Sequence, residues 1–194
     1  MHIALDASDL ASERLDGTTV YAQALLPRLA TELASRSHDV TIFTPAALPG
    51  RFPPSGRIHL AVLPGRRFWT QTVLSRALFH VAPEILFLPI QTVPFYRPRR
   101  LKVVATVHDL DFLEYPEMFS IQHRVLLRWF TRVVARSATS IIAVSETTKR
   151  AVMQRYGRVA DDIDVVPHGI DRGRFHVPTP SERSEAAVRR RTKY

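Results

Sequence analysis

His108-Asp109 ends the apolar run Val103-Val104-Ala105-Thr106-Val107. If that run is a buried strand, the imidazole stands at its mouth, where a ring titrating near neutrality can accept or share a hydroxyl proton. A histidine that only caps the strand or bonds to a neighbouring loop fits the same residues. A second run, Ile141-Ile142-Ala143-Val144, leads into Ser145-Glu146-Thr147-Thr148. Ser145 there is a helix N-cap whose hydroxyl faces the same side as the imidazole, and capping alone also accounts for it. The third segment follows Asp6-Ala7-Ser8 and closes with Asp16-Gly17-Thr18-Thr19 before a helical pattern. Backbone amides at such a helix start can approach a phosphate, since Gly17 puts no side chain in the way. A plain turn glycine with a threonine cap is the simpler account. The loop is not G-x-G-x-x-G, so a nicotinamide cofactor is not expected.

These groups can cooperate only if the chain carries them to one end of a sheet. Short β-branched or apolar runs alternate with longer amphipathic ones, the pattern of βαβ units in an α/β, doubly wound, mainly parallel sheet. Strands are expected at His2 to Asp6, Asp39 to Phe43, Arg57 to Leu63, Glu84 to Leu88, Lys102 to Val107, Ser140 to Val144 and Asp164 to Val166. Helices are expected at Thr18 to Ser35, Trp69 to Phe79, Ile121 to Arg136 and Glu146 to Tyr156, the last stopped by Gly157. Tyr21, Leu25, Leu29 and Leu33 share a face of the first, which Pro27 should kink or break. The Pro- and Gly-rich stretch Pro45 to Pro54 reads as a loop. Ligands of such a sheet bind beyond the C-terminal ends of its strands, where all three segments fall.

The Ile121 to Arg136 segment carries a second pattern. Arg124, Arg128, Arg132 and Arg136 recur every four residues, with Trp129 at the edge of their arc and Leu126, Leu127, Phe130, Val133 and Val134 opposite. Like charges at that spacing repel, and an anionic membrane surface or lipid phosphate would relieve the repulsion. Arg66-Arg67-Phe68-Trp69 is a second basic-aromatic patch. A solvated face balanced by Glu114, Glu117 or other carboxylates is the plainer reading. No aromatic-basic interleaving marks nucleic-acid binding, which is not expected.

With 194 residues, 45% hydrophobic and 23% charged, the chain suits one globular domain of ordinary size, and its net charge of +9 favours anionic partners. The start lacks a basic region followed by an apolar stretch, and no long uncharged apolar run occurs, so no secretion signal or membrane span is expected. Cysteine is absent, which excludes disulfides, thiolate metal sites and cysteine nucleophiles. No metal-ligand cluster is evident, and no cofactor is expected. A cytoplasmic protein, peripheral at the inner face of the membrane, fits these features.

Three blocks then resemble one family. They are Thr106-Val107-His108-Asp109-Leu110-Asp111-Phe112-Leu113-Glu114-Tyr115-Pro116-Glu117-Met118-Phe119-Ser120, then Ile141 through Thr148, then Val165-Val166-Pro167-His168-Gly169-Ile170-Asp171 with Arg174-Phe175. In order and spacing they resemble the N-terminal, acceptor-binding domain of family 4 retaining glycosyltransferases, one Rossmann-like half of the two-domain glycosyltransferase B architecture. The resemblance runs from Met1 to about Phe175. It implies transfer of a hexose from a nucleotide sugar to a glycan or lipid-linked acceptor, and the Tyr115-Pro116-Glu117 block looks like the mannosyltransferase branch. It places His108 beside the acceptor hydroxyl and anomeric carbon, as a positioning and electrostatic residue before a base, with Asp109 orienting it or binding acceptor. Gly17 and Thr18 match the loop near the donor diphosphate, where the family usually has a second glycine. Ser145 and Glu146 would line the acceptor side. His168 stands where the family typically has asparagine, in a segment leading to the interdomain hinge.

The resemblance also implies a second, donor-binding half carrying two spaced glutamates that this sequence lacks. Residues 176–194 read as a linker and the start of a segment leading to that half. The chain alone is therefore expected to have little transferase activity. Two alternatives stand beside this reading: the acceptor subunit of a split two-chain enzyme, and a non-catalytic remnant that binds glycan or phosphate.

Overall fold

The computed structural model describes residues 1–12, 16–65, 68–170, 172, 175 and 177–179. Seven strands among them form one sheet: β1 (His2–Asp6), β2 (Asp39–Thr44), β3 (Ile58–Val62), β4 (Ile85–Leu88), β5 (Lys102–Val107), β6 (Ser140–Ala143) and β7 (Ile163–Val165). Every pairing is parallel, in the order β3-β2-β1-β4-β5-β6-β7. Central strands of such a sheet are covered on both faces, which is why β2 is buried from Val40 to Thr44 and β4 is an unbroken apolar run. The chain builds outward from β1 to β3, then returns to lay β4 on the other side of β1. Connections therefore diverge between β1 and β4, and their loops part to leave a crevice at the carboxyl ends. The doubly wound α/β sheet expected from the sequence is present, and it is parallel throughout.

Helices cover both faces: α1 (Gly17–Ser35), α2 (Ser75–Val81), α3 (Asp111–Glu114), α4 (Ile121–Ser137) and α5 (Glu146–Tyr156). One core packs Ile3, Leu5, Val40, Ile42 and Phe87 of the sheet against Ala22, Leu26 and Ala30 of α1. The other packs Leu86, Leu88, Val103, Ala105 and Ile141 against Leu78 of α2, Val134 of α4 and Val152 of α5. The deepest stripe of α1 is thus Thr19, Ala22, Leu26 and Ala30, and Leu25, Leu29 and Leu33 flank it half-buried. Small alanines let the helix axis come close to the sheet, and the leucines fill the sides.

Three further details differ from expectation. α1 runs unbroken through Pro27, although the proline removes one backbone donor, because its buried stripe continues on both sides. The second helical segment begins as a wider π-helical turn, Thr70–Leu74, and runs on to Val81, where Ala82 turns left-handed at φ 47°. α3 and the 3-10 turn Pro116–Met118 fill the stretch after His108, where no helix was expected. Gly157 ends α5 as expected, at φ +69°, a conformation that glycine adopts without Cβ strain. Residues 66, 67, 171, 173, 174, 176 and 180–194 lie outside the described residues, and with them Arg66 and Arg67 of the second basic patch and all of the expected linker except 177–179.

Candidate functional site

The carboxyl ends of β4 and β5 meet through His108. Its Nε2 lies 2.8 Å from the carbonyl oxygen of Pro89, just past β4. A carbonyl can only accept, so Nε2 carries the hydrogen and Nδ1 of the neutral ring keeps a lone pair. The half-buried ring is wedged edge-on against Tyr21 of α1, centroids 4.9 Å apart at 85°. It stacks on His168 at 5.4 Å and 18°, and His168 meets Tyr21 at 5.0 Å. Desolvation, with a smaller contribution from His108 nearby, lowers the His168 pKa. The Tyr21 hydroxyl is 3.5 Å from Thr106 Oγ1, and partial burial raises its pKa. The His108 carbonyl accepts from Thr148 Oγ1 at 3.2 Å, which fastens the loop to the first turn of α5. The ring is neither sealed in the core nor turned away from these neighbours.

Asp109 is exposed, and its carboxylate accepts from the Asp111 amide at 3.3 Å. It shapes the entry to α3, while the Pro89 carbonyl sets the imidazole. Ser145 is the N-cap of α5, accepting from the Thr148 amide at 3.1 Å and lying 3.0 Å from Thr148 Oγ1. Glu146 beside it is exposed. The expected threonine cap of α1 is replaced by Asp16, which accepts from the Thr19 amide (2.9 Å) and both threonine hydroxyls (2.8 and 2.9 Å). A carboxylate outcompetes a hydroxyl there because it can accept several bonds and suits the positive helix start. Its negative charge opposes a phosphate at the same place. At Gly17 an added Cβ would meet nothing within 4 Å, so packing within the described chain does not require glycine.

β1 ends in Asp6, which is almost fully buried. One carboxylate oxygen accepts from the Ser8 amide at 2.9 Å, and the other has no hydrogen-bond partner among the described residues. Burial, opposed by the Ser8 hydrogen bonds, pushes its pKa up to about 6. Desolvation also raises the pKa of Asp9, with a smaller contribution from Asp16. Between the loops after β1 and β4 lies a cavity of about 300 Å³, lined by Ser8, Asp9, Trp69, Gln71, Thr92 and Phe130 among others. It occupies the switch point of the sheet. Ile90, next to the carbonyl that holds His108, is also in its wall. Trp69 donates to the Leu63 carbonyl at 2.8 Å, and Gln71 bridges Val93 and Phe95 through both amide atoms, so this wall is tied in place. The Thr92 hydroxyl is buried without a partner among the described residues.

The model of Glycosyltransferase Family 4 matches residues 22–174. This chain belongs to glycosyltransferase family 4. None of the curated proteins compared matches it in sequence. Among solved structures, HepE of Anabaena in complex with UDP-glucose superposes with a TM-score of 0.59 at 17% identity, over 97% of this chain and 49% of that one. HepE with UDP and glucose gives 0.57 at 18%, over 96% and 49%. A glycosyltransferase from Rickettsia africae ESF-5 gives 0.51 at 14%, over 97% and 48%. The chain spans about half the length of these structures, and its fold is one half of a glycosyltransferase B architecture.

In this family 4 domain, His108 and the first turn of α5 come together as the sequence suggests. Tyr21, Asp6 and the cavity-lining Thr92 were missed, and His168 was assigned to a hinge although it stacks on His108. For Asp6 a signal existed, an aspartate closing an apolar strand. Tyr21 looked like one more member of a helical face, and a cavity made of separate loops leaves no local pattern.

Proposed function

We propose that residues 1–175 are the N-terminal, acceptor-binding half of a retaining glycosyltransferase, with residues 176–194 leading toward a donor-binding half. It transfers a hexose from a nucleotide sugar to a glycan or lipid-linked acceptor. The observation that carries this reading is the His108 ring, anchored through Nε2 on the Pro89 carbonyl, whose neighbour Ile90 lines a cavity at the switch point of the sheet. The acceptor takes the cavity, and its hydroxyl meets Nδ1. His108 positions that hydroxyl and answers developing charge, while the departing diphosphate assists the proton on the same face. Gly17 and Thr18 approach that diphosphate against the charge of the Asp16 carboxylate that caps their helix, and Asp109, Ser145 and Glu146 border the acceptor.

The sugar is glucose or mannose. HepE has been solved with UDP-glucose, and the Tyr115-Pro116-Glu117 block resembles mannosyltransferases, so UDP-glucose and GDP-mannose are the two donors to assay. In the enzyme joined to its donor-binding lobe, His108→Ala is expected to lower transfer by roughly 10²- to 10⁴-fold, the range for loss of a positioned proton-transfer group. Radiolabelled sugar incorporation measures it. Wild-type turnover in the variant overturns the assignment, and acceptor binding without any transfer by the unmutated enzyme indicates a remnant.

A further inference from the structure

We propose that the exposed face of α4 docks on an anionic lipid bilayer. Ile121, Val125 and Trp129, four residues apart, are 76%, 62% and 49% exposed. Met118 and Tyr115 extend this apolar surface in front of the helix, and Phe95 rests against Trp129 with ring centroids 4.5 Å apart. At 100° per residue, Arg128, Arg132 and Arg136 share the arc of Ile121, Val125 and Trp129 but lie toward the C-terminal end. One stripe is therefore apolar in its first half and basic in its second, with tryptophan at the join. Leu126, Leu127, Phe130, Val133 and Val134 lie on the opposite arc, whereas Ile121 and Val125 lie among the arginines.

Among the described residues this charge has no ion-pair partner. Ion pairs among the described residues are Arg36–Glu32, Arg57–Asp39 and Arg158–Asp162, and none includes an α4 arginine. Glu114 and Glu117, the carboxylates that could have balanced the face, do not pair with it. Burial raises the pKa of the Tyr156 phenol on α5, and Arg128, Arg132 and Arg155 nearby oppose that rise. Anionic headgroups supply the missing charge, the aliphatic residues enter the acyl boundary, and Trp129 sits at headgroup level. Single-stranded nucleic acid would satisfy the arginines but not Ile121, Val125 and Met118, which offer no ring for a base to stack on. Phe130 of the same helix lines the cavity assigned above to the acceptor. On that reading, docking brings the acceptor site beside the headgroups.

Sedimentation with vesicles of phosphatidylcholine alone, or mixed with phosphatidylglycerol, tests the proposal without any sugar nucleotide, so the result is independent of transfer. The protein should pellet with the mixed vesicles only. The double variant R128E/R132E should remove at least nine-tenths of that binding, and V125S/W129S should weaken it at least tenfold, both with unchanged thermal unfolding. Equal recovery with both vesicles, or full binding by either variant, overturns the proposal. RNA binding as tight as vesicle binding, insensitive to V125S/W129S, overturns it in favour of a general polyanion surface.

Discussion

Asp6 shows what one group can cost. Its buried carboxylate holds one amide and leaves an oxygen unsatisfied, and its pKa stands at about 6 against an ordinary 3.8. A folded-state pKa above the unfolded value means the folded chain holds the proton more tightly. The stability this contributes is full below pH 3.8 and is lost as pH rises through about 6. At pH 7 the ionised group costs on the order of 3 kcal/mol relative to its neutral form. Asp6→Asn keeps an acceptor for the Ser8 amide and never ionises. Its urea-unfolding stability, measured relative to wild type, should rise by roughly that amount between pH 3.5 and pH 7, since the burial cost of the amide is the same at both and cancels. A difference that stays flat over this interval contradicts the assignment. His108 was legible because a histidine closing an apolar run is a local pattern, whereas the ring contacts of Tyr21 and His168 join positions far apart in sequence and become visible only in space.

Elements were legible where periodicity and caps agree. β1, β2, β4, β5 and α5 fall within about a residue of expectation because apolar runs, Ser145 and Gly157 mark their limits. Reading failed where a carboxylate displaced a hydroxyl as the cap of α1, and where one helical face of α4 carried two chemistries. Arg158, far from α4 in sequence, also helps to secure the end of that helix. That guanidinium reaches the Ala135, Ala138 and Thr139 carbonyls at 3.3, 2.9 and 2.9 Å, and Asp162 at 3.1 Å. With its side chain only 14% exposed, its bonds to Ala135 and Ala138 are partly shielded from water. Arg158→Ala leaves helix-terminal carbonyls without their donor, and should cost on the order of 2–3 kcal/mol in chemical denaturation. Arg158→Lys should recover only part, since an ammonium lacks the planar fork that serves several acceptors. A loss below about 0.5 kcal/mol, the ordinary range for surface changes, removes the clamp from the account.

At the scale of the whole molecule, alternating strand and helix patterns predict a parallel sheet, but not where its connections reverse. That reversal, between β1 and β4, decides where a ligand can enter, and it brings Ser8 and Asp9 to face Ile90 and Thr92. The cavity is thus a product of topology, invisible to any window along the chain. Thr92 separates a binding role from a folding one. Its hydroxyl has no partner among the described residues, so Thr92→Val, nearly equal in shape, removes no contact that stabilises the fold and spares a desolvated polar atom. Unfolding midpoints should hold or rise. If the acceptor supplies the missing partner, the variant loses one neutral hydrogen bond, about 1 kcal/mol, and the KM for acceptor should rise roughly fivefold with kcat unchanged. Steady-state kinetics with the donor saturating measures both constants. An unaltered KM, in a variant at least as stable as wild type, would show that the acceptor does not occupy the switch-point cavity, while leaving His108 to be judged by its own substitution.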